Sequence, residues 1–177
     1  SYSPKPDGSA PNDKSASGAT GAPVDGAGYD LAVNYTGFEG LNVFGGVSNI
    51  SQGTDTLTNG DRNQQIIGAT YAIGGLTLGY QYGKDETELK TSTSYYENNA
   101  YGVSFNVSDD LTVSYAVHNS ERVFTSGQGT NQETETNSLQ LAYTMGGASI
   151  KVAETSVDNW GYQTTTAFDR DGTTISL

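Results

Sequence analysis

The sequence has no cysteine among its 177 residues. That excludes disulfide scaffolds, zinc–thiolate centres and thiol nucleophiles. Histidine occurs once, at His118. A site of several histidines therefore cannot be assembled from this chain, and a serine–histidine–carboxylate triad would have to use a histidine with no marked partner nearby. The Gly-x-Ser-x-Gly elbow, the phosphate-binding loop and the dinucleotide fingerprint are all missing, so nothing marks an enzyme or an organic cofactor. No apolar run reaches the ~18 residues that a membrane-crossing helix needs, although strands that cross a membrane give a weaker signal and stay open. No secretory signal opens the chain, and Ser1-Tyr2-Ser3-Pro4 has the look of the interior of a longer sequence. Basic residues are scarce: 8 Lys and Arg stand against 20 Asp and Glu, a net charge of -12. That balance argues against binding nucleic acid through its phosphates, and the acidity reads as the charge of soluble, exposed loops. Helix formers are sparse, and no segment keeps an apolar i, i+3, i+4, i+7 pattern.

Glycine (23), tyrosine (12) and two-residue alternation are what the chain has instead. Leu76-Thr-Leu-Gly-Tyr-Gln-Tyr82 puts Leu76, Leu78, Tyr80 and Tyr82 on one face and Thr77, Gly79 and Gln81 on the other. Gly74-Gly75 precedes it and suits a tight hairpin turn. The same design recurs along the chain. Tyr29–Tyr35 returns through Thr36–Gly40 to Leu41–Val47, where Phe44 sits on the polar face against the pattern. Gln64–Ile73, with Ile66 as a second exception, leads into Leu76–Tyr82. Glu97–Val107 turns at Ser108–Asp110 into Leu111–Ser120, and Thr136–Met145 turns at Gly146-Gly147 into Ala148–Thr155. Thr173–Leu177 begins a ninth strand. Between hairpins lie long polar stretches near 53–62, 84–94, 121–135 and 158–171.

Short turns alternating with long loops predict an all-β, antiparallel, up-and-down transmembrane barrel. A fraction of only 34% hydrophobic residues is thin for a soluble β-sandwich, whereas a barrel needs an apolar outer band and no large apolar interior. Residues 1–27, rich in Pro, Gly, Ala, Ser and Asp, are expected to form a long flexible loop on the extracellular side, and 28–177 the hairpin array of the barrel wall. Tyr35, Tyr71, Phe105 and Tyr143 lie near the short turns on the apolar face, as in an aromatic girdle at a lipid–water interface. Aromatics are also simply good strand formers.

Gly68-Ala-Thr-Tyr-Ala-Ile-Gly-Gly-Leu-Thr-Leu-Gly-Tyr80, Leu139-Gln-Leu-Ala-Tyr-Thr-Met-Gly-Gly-Ala-Ser-Ile150 and Asp171-Gly-Thr-Thr-Ile-Ser-Leu177 resemble the C-terminal part of a Gram-negative general diffusion porin of the α-proteobacterial type. The resemblance covers about residues 28–177. It implies an outer-membrane barrel of about 16 strands, usually a homotrimer, with an inward-folded third loop narrowing the pore. It also implies outer-membrane lipid and lipopolysaccharide as surroundings, and small hydrophilic solutes and ions as cargo. Only about nine strands are present, and the chain stops at Leu177 where the family ends on an aromatic, usually Phe. Both departures imply that the sequence belongs to a longer protein whose constriction loop lies elsewhere.

In a barrel the polar face lines the lumen, which makes Asp30, Asn34, Gln64, Gln81, His118, Gln140 and Lys151 pore-lining candidates, with Arg122 near the outer mouth. Each is equally readable as a solvated residue without effect. Cation preference is expected if the lumenal charge follows the overall acidity. Asp55, Asp61, Asp85, Glu86, Asp158, Asp169 and Asp171 fall in the expected loops and could hold Ca²⁺ or Mg²⁺ at the rim, with Asp169 and Asp171 flanking Arg170. No twelve-residue calcium loop is present, and solvated loops are the plainer reading. Two alternatives stand beside a passive pore: an outer-membrane barrel that adheres or anchors through its long loops, and a soluble β-sandwich binding module. Bilayer conductance separates the first from a pore, and solubility without detergent would mark the second.

Overall fold

The computed structural model describes residues 1–3, 25–52, 61–86 and 93–177. Ten strands form one sheet in chain order: β1 (Tyr2–Ser3), β2 (Asp25–Phe38), β3 (Leu41–Gln52), β4 (Arg62–Ile73), β5 (Leu76–Glu86), β6 (Thr93–Asn106), β7 (Leu111–Phe124), β8 (Gln132–Met145), β9 (Ala148–Asp158) and β10 (Arg170–Ser176). Every neighbouring pair is antiparallel. The sheet is open, with β1 and β10 at its edges, and has no second layer among the described residues. Val117 is the one buried hydrophobic residue among them. This is not a sandwich, in which two apolar faces would cover each other.

Tight turns close the hairpins at one end. Gly74 (φ 56°), Gly146 (φ 57°) and Gly147 (φ 88°) supply the left-handed backbone that such turns need. Gly40 (φ 77°) is the most constrained of the turn glycines: a Cβ there would lie 2.1 Å from the Ala72 carbonyl oxygen, which belongs to the next hairpin.

Strands run further toward the long-loop end than alternation foretells. β7 continues to Phe124, β8 begins at Gln132, β9 reaches Asp158 and β10 starts at Arg170. Asp85 and Glu86, expected in a loop, are ladder residues of β5. The reason is that the outward positions there turn polar (Asn99, Asn119, Glu121, Glu135), so the hydrophobic signal stops while the hydrogen-bonded ladder goes on. Within the expected loop 1–27, Tyr2 and Ser3 pair with Tyr29 and Gly28, and β2 begins at Asp25. The free edge of β2 presents backbone groups that this short segment satisfies. Residues 4–24, 53–60 with Asp55, and 87–92 lie outside the described residues. The stretch 158–171 is not a plain loop: Trp160–Tyr162 and Thr166–Phe168 form 3₁₀ turns.

Phe44 and Ile66 do stand on the polar face, and both have the same explanation. Phe44 pairs with Gly68, and Ile66 pairs with Gly46. A Cβ on Gly68 would meet the Phe44 ring at 2.4 Å, and one on Gly46 would meet Ile66 Cγ2 at 3.4 Å. Both of these apolar side chains rest over a glycine of the adjacent strand.

Candidate functional site

Directly paired residues in an antiparallel ladder point to the same side, so the register sorts every strand residue into one of two faces. One face carries Leu31, Val33, Tyr35, Ile67, Leu78, Tyr80, Tyr101, Phe105, Leu139 and Leu141, exposed by 42–61% in the isolated sheet. A soluble monomer rarely leaves an apolar surface of this extent open. The last apolar residue on this face before it turns polar is Tyr29 on β2, Val47 on β3, Ile67 on β4, Tyr82 on β5, Tyr101 on β6, Val117 on β7, Leu139 on β8, Val152 on β9 and Ile175 on β10.

That boundary crosses the ladder obliquely. Followed rung by rung to β5, the limit on β2 falls at Glu86 and the limit on β10 at Leu76, a drift of ten residues over the eight steps from β2 to β10. With ~3.4 Å per residue and ~4.8 Å between strands, the apolar band is inclined by about 40° to the rungs. If the band is level, the strands are tilted by that angle, which is the tilt of closed membrane barrels, ~35–45°. Most strands give the band four outward residues, for instance Leu76, Leu78, Tyr80 and Tyr82. About eight residues of strand at this tilt span roughly 21 Å, close to the ~25 Å apolar band of outer-membrane barrels.

Tyr35, Tyr71, Phe105 and Tyr143 lie on this face toward the tight turns, and the Tyr35 and Phe38 rings meet edge-on at 6.3 Å. A second aromatic row at the opposite margin escaped the sequence reading. Tyr80 donates its hydroxyl to Asn99 Oδ1 (2.8 Å), Tyr82 to Glu97 Oε1 (2.5 Å) and Tyr115 to Asn137 Oδ1 (2.7 Å). Each ring lies on the band while its hydroxyl reaches the polar zone, as tyrosine does at an interface. The signal was available: on the same face, an Asn follows these tyrosines within reach on the neighbouring strand. Beyond this row the outward face is acidic, with Glu86, Glu97, Glu121, Glu133, Glu135, Glu154, Asp158 and Asp171 against Lys84.

The other face is polar and grooved. A groove of about 490 Å³ is lined by Asp30, Ser48, Gln64, Ile66, Gln81, Asp85, Asn98 and His118 among others, and one of about 320 Å³ by Phe44, Thr70, Gln81, His118 and Thr136. Gln81 and His118 border both. Asn34 shares the rung of Phe44, Gly68, Gln81, Ala100 and His118. Gln140 and Lys151 line a smaller groove toward the tight turns. The Asp30 carboxylate accepts a hydrogen bond from the Ser1 hydroxyl. Arg62 and Asp85, which stand past the apolar band, form a two-bond ion pair (Nη2–Oδ2 2.7 Å, Nε–Oδ1 3.2 Å). The Arg62 guanidinium holds the Asp85 carboxyl below the usual carboxylate range.

At the long-loop end, the segment between β9 and β10 folds back over this polar face. The Tyr162 hydroxyl hydrogen-bonds the Ser120 hydroxyl (2.7 Å), and its ring lies 5.5 Å from that of Tyr96. Thr134 Oγ1 donates to the Asn159 carbonyl (2.8 Å) and accepts from the Tyr162 N–H (3.3 Å), while the Asn159 N–H donates to Asp169 Oδ1 (3.0 Å). Arg122 lies beneath, its guanidinium 4.7 Å from the Phe124 ring and 5.2 Å from the Tyr162 ring, with Nη2 bonded to Gln132. Tyr162 (φ 61°) and Asn159 (φ 55°) both adopt left-handed backbone here, a conformation that carries strain at tyrosine and is sustained by these contacts. Sequence reading missed this strap because Tyr162 reaches back 28 residues to Thr134 and 42 to Ser120.

The described rim carboxylates do not converge. Asp169 serves the strap, Asp171 stands on the outward side of β10 opposite Ser156, and no group of three His, Asp or Glu residues is placed to hold a metal among the described residues.

One antiparallel up-and-down sheet with an exposed, obliquely banded apolar face and a grooved polar face is the wall of a β-barrel. The chain belongs to the Gram-negative porins: the sequence model of that family matches residues 1–161. No curated protein matches the chain. Porins as a class are non-enzymatic channels of the outer membrane.

Proposed function

We propose that this protein lines a water-filled passage through the outer membrane, by which ions and small hydrophilic solutes diffuse passively. The observation that supports this most directly is the inclined apolar band, because a level hydrocarbon slab and tilted strands account for it together. The outward face then meets membrane lipid or a neighbouring subunit, and the acidic margin beyond the band meets the lipopolysaccharide zone. The assembly we propose is a homotrimer. The polar face, with Asp30, Asn34, Gln64, Gln81, His118, Arg122, Gln140 and Lys151, lines the water path. No covalent step and no cofactor is involved: solutes are sorted by the width of the path and the charge on its wall.

The test is conductance in planar bilayers with the purified full protein. Stepwise, ohmic current increments are expected, with larger solutes excluded. A protein that inserts into lipid and carries no current refutes the proposal. Cross-linking in detergent tests the trimer.

A further inference from the structure

The register divides the charges unequally between the two faces, and the division opposes the overall acidity. Among the described strand residues, the outward face carries the eight carboxylates named above against one lysine. From residue 28 onward the charges on the polar face are Arg62, Arg122, Lys151 and Arg170 against Asp30 and Asp85. Arg62 and Asp85 neutralise each other. Asp30 offsets one of the three remaining cations, Arg122, Lys151 and Arg170. Arg122 and Lys151 have no carboxylate partner among the described residues. Arg170 donates to the carbonyl oxygens of Ala167 and Asp169, and the Asp169 carboxylate is occupied by the Asn159 N–H.

We infer that the passage admits anions in preference to cations, with Lys151 and Arg122 as the residues that set the preference. This rests on the reading of the polar face as the water path. A chain of net charge -12 invites the opposite expectation, but a permeating ion responds to charges beside its path. The outward carboxylates are separated from that path by the wall and face the external medium, where salt screens them within about 8–10 Å. Lys151 is exposed, and its groove is lined by Thr112, Ser114, Gln140, Thr174 and Ser176, none of them acidic. Arg122 is held in place by its two aromatic neighbours and Gln132. Its charge is therefore fixed near the mouth and does not swing with a mobile side chain.

The experiment is the zero-current potential of the full protein in a planar bilayer under a KCl gradient. The expected sign is that of chloride permeating faster than potassium. Lys151→Glu reverses one wall charge. For an ion passing at about 8 Å in about 0.1 M salt, that reversal lowers the chloride-to-potassium permeability ratio by roughly fivefold. Lys151→Gln and Arg122→Gln are expected to lower it by a smaller factor each, and an unchanged far-ultraviolet circular dichroism spectrum in vesicles would report an intact barrel. Glu154→Gln, which alters the net charge from the outward face, is expected to leave the ratio where it was. Potassium selectivity in the unaltered protein, or a ratio that follows Glu154 as closely as Lys151, overturns the inference while leaving the passage itself standing. A protein without conductance overturns the passage and this inference with it.

Discussion

Leu78 and Glu154 lie in the same hydrogen-bonded rung, joined through Val103, Tyr115 and Leu139. On a flat, untilted sheet they would sit at equal depth, and a carboxylate would share the level of a mid-band leucine. The tilt resolves this. Four strand steps of ~4.8 Å inclined by about 40° lift Glu154 by about 12 Å relative to Leu78. That is half of a ~25 Å apolar band, so Leu78 lies near its centre and Glu154 at its margin. Leu78→Arg is therefore expected to destabilise the protein by about 2–4 kcal/mol, and Glu154→Arg by about 0–1 kcal/mol. Leu78 is 46% exposed in the isolated sheet, so the arginine fits sterically and its cost is that of placing a charge in hydrocarbon. The assay is reversible guanidinium unfolding in lipid vesicles, with the midpoint and slope determined for both variants. Equal costs would mean that depth follows the rungs, and the oblique band would then have no membrane meaning. A larger cost at Glu154 would place the band upside down.

Other outcomes follow from the same geometry. Gln81→Arg, on the opposite face of β5 from Leu78, should leave stability within about 0.5 kcal/mol, and single-channel recording should show altered conductance. Gly40→Ala should disrupt the β2–β3 turn, because its backbone is left-handed and the added methyl would meet the Ala72 carbonyl; folding yield into vesicles checks this. Tyr162→Phe removes the hydroxyl bond to Ser120 and should weaken the strap by about 1 kcal/mol, seen as faster amide exchange across residues 159–169. The Arg62–Asp85 pair should contribute up to about 1 kcal/mol above the ordinary carboxylate pKa of ~3.9, and lose it as the pH falls through the lower value that Asp85 has when folded. Asp85→Asn should therefore narrow the stability difference between pH 7 and pH 3, measured by the same titration.

Alternation was enough to find the hairpins, since each central strand segment has apolar outward residues and small or polar inward ones. It failed where the outward environment changes. Asn99, Asn119 and Glu135 continue their strands with polar residues on both faces, so the pattern ends several residues before the ladder does. The wall candidates Gln81, His118 and Lys151 could be placed on the polar face from parity alone. Their relation to Phe44, Ile66 and the strap could not, because it depends on register between strands and on Tyr162 reaching back to Ser120. The sign of the wall charge was hidden for a related reason. Composition adds both faces together, and only the register separates the carboxylates outside from Arg122 and Lys151 inside.

Strand order and chain order coincide throughout the sheet. Each hairpin therefore depends only on the one before it and the one after, and the wall behaves as a quasi-linear array whose cohesion is a sum of neighbour terms. Inserting or deleting a whole hairpin would change the circumference and leave every other pairing intact, which makes pore girth an easily varied trait in evolution. Sequential closure also keeps loop-closing entropy small at each step, so assembly can proceed by accretion at a growing edge. The strap is the exception among the described residues. By joining residue 162 to residue 120 it bridges past β8 and β9 to reach β7, and this fastening can form only once the intervening strands are in register.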